Sequence, residues 1–254
     1  MDDEIETIFS ERDILKLGST NRFMTKLFST FQNKDYVFFV MEYLSGGDLF
    51  FPLQAEGRFT EERARFFSAE VVLGLQYLHS HGTIHRDLKL ENVLLTAEGH
   101  IKLVNLGTAK CNIRNSTRTT TFCGTPANIP PEMLTGLPYG GSVDWWCLGI
   151  LLFQMMTGRS PFDHQDEGIL FNMIQHRQLC TPSAFSKDSQ DIIRDQLEKD
   201  AMERLGCKDD IGEKEMQHHP FFFHINWTDL GNGEATPHFK PTSVDIDIAG
   251  NYFK

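Results

Sequence analysis

IHRDLKLENVLL, residues 84–95, sets an acid, a cation and an amide at fixed intervals ahead of an apolar run. Asp87, Lys89 and Asn92 thus share one short loop, and the Val-Leu-Leu that follows reads as a strand. A lone His-Arg-Asp triplet is as well explained by a salt-bridged surface turn. The added lysine and asparagine at this spacing are not. Upstream, Thr60 to His81 form a long amphipathic pattern, with Thr60 as N-cap, Glu61 and Glu62 in the first turn and Gly82 past the end. Downstream, NVLLTAEGHIKLV is two apolar runs about a glycine turn, which predicts a hairpin.

Further out, residues 4–17 carry Ile5, Ile8, Ile14, Leu15 and Leu17 on one helical face. RFMTKLFSTF and DYVFFVMEYL, rich in aromatic and β-branched residues and separated by QNK, read as a second hairpin, and LSGGDLF breaks regular structure. From Ser142 the pattern is helical, with SVDWWCLGILLFQMMTG as a core helix. GNGEATPHFKPTSVDIDIAGNYFK loses periodicity and reads as an extended tail. There is no internal repeat.

A chain of 254 residues, 40% hydrophobic and 23% charged, has ample capacity for a core. No apolar run reaches the roughly 18 residues of a membrane span, and the acidic start MDDEIETIF lacks the cationic region of a signal peptide. Cys111, Cys123, Cys147, Cys180 and Cys207 are scattered without a C-x-x-C pair, as expected of inert thiols in a reducing, cytoplasmic setting. A formal charge of −11 argues against nucleic acid or an anionic membrane as partner and suits a basic peptide.

The loop at 85–92 resembles that of a serine/threonine protein kinase. TFCGTPANIPPEM, SVDWWCLG, GRSPF, ERLG, HHPFF, INW and PHFKP continue the resemblance in order, in wording similar to the protein kinase C group and its delta and theta types. The resemblance implies an α+β, bilobal protein-kinase-like fold with a truncated small β lobe (1–43), a mainly helical large lobe (44–223) and a partial C-terminal tail (224–254). By resemblance, Asp87 orients the substrate hydroxyl, Lys89 reaches the transferring phosphate, Asn92 ligates Mg²⁺ and Thr125 ties the substrate loop to them. The backbone of Glu42 and Leu44 would meet adenine, Leu94 would line the same pocket, and Asp48 and Glu91 would meet ribose or a basic substrate side chain. Thr121 matches the activation-loop phosphoacceptor of an upstream kinase, with Arg86 and Lys110 to bind its phosphate. Glu11, Asp144 and the pair Glu132–Arg204 match structural positions.

Departures from the family pattern are as specific. The metal-binding aspartate is Asn105, the packing phenylalanine beside it is Leu106, and Ala127, Asn128 and Pro130 alter the substrate loop. No G-x-G-x-x-G occurs, and the ten residues before Glu11 contain neither lysine nor glycine. ATP and Mg²⁺ are the cofactors the resemblance implies, with binding expected weak or lost. The expected function is a catalytically impaired, pseudokinase-like domain that binds basic protein or peptide segments. The alternatives are a residual kinase using Asp87, Lys89 and Asn92 with a relocated cation such as Lys26, and a decayed copy without selected function.

Overall fold

Two long helices crossing at the centre of the larger lobe position everything else. Thr60 caps the first, α3 (Glu61–Ser80), by accepting from the Arg63 amide, as its sequence predicts. The second, α5 (Ser142–Thr157), is buried along almost its whole length, which explains its unbroken apolar run. The computed structural model describes residues 2–113, 117–208, 212–237 and 239–241. Before α3 come α1 (Asp2–Gly18), the antiparallel hairpin β1 (Leu27–Gln32) and β2 (Val37–Met41), and the short α2 (Phe50–Glu56). After it come the antiparallel hairpin β3 (Val93–Leu95) and β4 (Ile101–Leu103), then α4 (Pro131–Leu134). Beyond α5 lie α6 (Glu167–His176), α7 (Lys187–Gln196), α8 (Gly212–His218) and α9 (Trp227–Asn232).

One hydrophobic core joins the lobes, from Ile14, Leu15, Phe23 and Met24 through α3 and α5 to Leu230. Leu106, in place of the family's aromatic residue, is fully buried in it. A second cluster of Ile84, Ile113, Ile129, Met133, Tyr139 and Val143 lies under the segment that carries Thr121. Burial pushes the Cys207 thiol up to about 12 and Cys147 well above its ordinary value, which disfavours their thiolate forms.

Three findings differ from the sequence expectation. Helix α2 follows directly on the glycine break, opened by Asp48, whose Oδ1 accepts from the Phe51 amide at 2.9 Å. Residues 224–232 belong to the helical body, because Asn226 caps α9 and Leu230 is buried. Lys26 precedes β1 instead of lying in a strand. The tail that follows α9 crosses the large lobe. A side chain at Gly99 would run into the Phe239 carbonyl, and one at Gly46 would stand 2.8 Å from Pro241. Residues 242–254 lie outside the described residues.

Candidate functional site

The loop between α3 and β3 is built around a buried carboxylate. Asp144, in the first turn of α5, accepts from the His85 and Arg86 amides at 2.8 Å each and from His79 Nε2 at 2.8 Å. Burial acts to raise this carboxyl. The hydrogen bond and charge of His79, the charge of His85 and the Arg86 amide outweigh it and hold Asp144 below its ordinary value. Burial lowers the His85 imidazole. The neutral ring pairs Nε2 with the Val104 carbonyl at 3.1 Å and takes the Asp87 amide on Nδ1 at 3.3 Å. Arg86 sits at φ +70°, a left-handed strain that these bonds sustain.

On this frame Asp87, Lys89, Asn92 and Thr125 come together. Asp87 Oδ1 accepts from the Thr125 amide at 3.1 Å and its hydroxyl at 2.9 Å. Lys89 Nζ donates to Thr125 Oγ1 at 2.9 Å and lies 3.2 Å from Asp87 Oδ2. Asn92 Nδ2 donates to the Asp87 carbonyl at 2.7 Å and to Oδ2 at 3.1 Å. Its remaining oxygen, Oδ1, accepts from Asn105 Nδ2 at 3.2 Å. Asn105 is exposed and sits at φ +60°, a conformation that asparagine and aspartate tolerate better than most residues. Two amides therefore face each other, nitrogen to oxygen, below the cleft. Among the described residues no cluster of three His, Cys, Asp or Glu residues could hold a metal ion.

The other candidates fall around this centre. Glu42 turns its side chain away, accepting from the Lys26 amide and Lys102 Nζ at 2.6 Å each. Leu44 makes no backbone hydrogen bond among the described residues. Asp48 bridges to Leu94 of β3. Burial raises the Asp48 carboxyl, and the charge of nearby Glu91 adds to the rise. Glu11 hangs over the turn 106–108, half-buried, without a cation partner among the described residues, and burial raises it. Glu132 and Arg204 form a buried bidentate pair at 2.7 and 2.9 Å, completed by Ser142 Oγ on Glu132. Lys26 is apart from the cluster, with its ammonium over the Phe28 ring.

Thr121 is exposed, its hydroxyl 3.2 Å from that of Thr119. Arg86 gives Nε to the Thr108 carbonyl at 2.6 Å and Nη1 to the Tyr139 hydroxyl at 3.3 Å, and that hydroxyl donates to the Thr121 carbonyl at 2.5 Å. Lys110 pairs with Ile84 through its backbone. Sequence reasoning missed Tyr139 and His79, and read His85 only as part of the His-Arg-Asp motif without its bonds to Val104 and the Asp87 amide. A tyrosine or histidine apart from an acidic motif carries no signal of the bond it will make.

The protein kinase domain family model matches residues 1–222. The chain is 45% identical over 251 residues to protein kinase C of Drosophila melanogaster, covering 99% of this chain and 34% of that protein. It is 47% identical over 241 residues to the human protein kinase C delta type, covering 95% and 35%, and 46% identical to the rabbit epsilon type, covering 94% and 33%. The chain thus spans about a third of the length of the curated relatives it matches. With a loop of this geometry, on this pair of helices, at this identity across nearly its entire length, the chain belongs to the protein kinase domain family.

Proposed function

We propose that this chain is a protein kinase C-like serine/threonine kinase domain impaired in phosphoryl transfer, which acts by binding basic protein segments. One observation carries the impairment: the Asn105 amide donates to the Asn92 oxygen that would otherwise face a metal ion. The family uses ATP and Mg²⁺. Mg²⁺ takes oxygen ligands in near-ideal octahedral geometry, chiefly carboxylates and phosphates, and a neutral amide pair with a nitrogen turned inward does not fit it. Loss of one such electrostatic group costs on the order of 10²- to 10³-fold in rate. Asn105 lies inside the chain, so its effect holds whatever adjoins residue 1.

In this proposal Asp87 and Thr125 orient a substrate hydroxyl, and Lys89 faces the phosphate. Asp48 and Glu91 receive a basic side chain, and Glu42, Leu44 and Leu94 border the adenine position. Phosphorylation of Thr121 would draw Arg86 and Lys110. A cytoplasmic site of action suits this partner chemistry. The described residues contain no helix long and apolar enough to cross a membrane. Incubating the purified chain with ATP, Mg²⁺ and an arginine-rich peptide tests the reading. Peptide binding without turnover above blank is expected; turnover abolished by Asp87→Ala would overturn it. The intact hydrogen-bonded set Asp87–Lys89–Thr125 favours a second reading, residual transfer, which that same turnover would establish.

A further inference from the structure

A cavity of about 890 Å³ lies where segment 19–26, α3 and α8 meet, and none of Asp87, Lys89, Asn92 or Thr125 lines it. Four cations do: Arg22, Lys26, Lys102 and Lys214. Lys102 is engaged, 2.6 Å from Glu42 and donating to the Met24 carbonyl. The other three form no ion pair among the described residues. Arg22 rests its guanidinium against Gly233 and acts on buried Glu70 through charge alone. Lys26 holds its ammonium 5.6 Å from the Phe28 ring centre. Lys214 is exposed on α8. On a chain of formal charge −11, Arg22, Lys26 and Lys214 gather positive charge around one recess. Asn21 also lines the cavity, and its oxygen already accepts from the Phe23 amide, which leaves its NH₂ group as the remaining donor.

We propose that this cavity binds an acidic peptide segment of a partner protein, one rich in Asp and Glu or carrying a phosphoserine. It is an open groove of about 890 Å³, with room for several side chains of a bound segment and not only a single anion. A polynucleotide, whose binding rests on many phosphate contacts along its length, is disfavoured by the chain's formal charge of −11. A bilayer is flat and cannot enter a recess. Carboxylates and phosphates both pair with guanidinium and ammonium through charge-assisted hydrogen bonds, and the attraction weakens beyond about 10 Å at 0.1 M salt.

The test is fluorescence anisotropy with two labelled peptides, one rich in Asp and Glu and one with a phosphoserine at its centre. Saturable binding by the full chain that weakens with added salt is expected. The double variant Arg22→Glu/Lys214→Glu should bind at least about tenfold more weakly. Lys34→Glu, an exposed charge on the β1–β2 turn, should bind as the parent does. Thermal melting checks the fold of each variant, and Lys214→Glu alone serves if Arg22→Glu disturbs the contact with Gly233. No saturable binding, or equal weakening in Lys34→Glu, overturns the proposal. So does binding to phosphatidylserine vesicles that neither peptide displaces.

Discussion

Asn105 and Lys199 show what one side chain does to this domain. Replacing Asn105 with aspartate removes the donor to Asn92 and sets two acceptors face to face. Without metal, Asn105→Asp should lose about 1 kcal/mol for that hydrogen bond. With millimolar Mg²⁺ its melting temperature should rise, because an ion bound only by the folded state stabilises it, whereas the parent should not respond; differential scanning fluorimetry reads both. Lys199 donates to the Ile174 carbonyl at 2.6 Å and stands over the stacked rings of Trp146 and Phe162. Burial first, then the charge of Arg204, lower it from 10.5 to about 8. Between those values the unfolded chain holds a proton that the folded chain has released, so stability rises as pH climbs from about 8 towards 10.5. Lys199→Met should flatten that rise, seen in urea midpoints taken across the range. Asp87, Lys89 and Asn92 were legible because one loop holds them all at fixed spacing. Position 105 was legible as a substitution, but its bond to Asn92 was not, since spacing says nothing of which way an amide turns.

At the scale of elements, helix α3 is held by a contact that joins it to the tail. The Arg63 guanidinium lies 3.8 Å from the Phe59 ring centre and 3.5 Å from that of Phe239, with Nη1 on both oxygens of Glu56. Phe239→Ala should free the tail at a cost of about 0.5–2 kcal/mol, visible as faster amide exchange at residues 235, 236 and 240 with little change in α5. The β1–β2 hairpin makes a contrast. Phe28, Phe31, Tyr36 and Phe38 are exposed on it, and among the described residues neither strand has a second strand beside it. A lone two-stranded sheet is marginal, so its amides should exchange well before those of α5. Both hairpins, α3 and α5 followed from periodicity and turn residues. Helix α2 did not, because Phe50–Glu56 is too short to show a period and Pro52 interrupts it. No local pattern pairs residue 63 with residue 239.

For the whole molecule, the buried ion pair of Glu132 with Arg204 ties two distant segments together. Arg204 is completely buried, uses Nη1 and Nη2 on Glu132, and sends Nε to the Glu198 carbonyl at 3.0 Å. Glu132→Ala strands that cation and should cost about 3–5 kcal/mol, measured as a fall in the urea midpoint at unchanged slope. The bilobal architecture was legible because motifs in fixed order carry it. The basic cavity was not, since Arg22 and Lys214 are remote in sequence and meet only in the fold. Pro241 bears on Gly46 in the segment joining the lobes, where an added methyl would stand 2.6 Å from the Leu95 carbonyl and 2.8 Å from the proline ring. The strap and the joint therefore share one point of wear. Pivoting of the small lobe would be expected to shift that ring, so a dye on Lys240→Cys, exposed beside it, would gauge how far the jaw has opened.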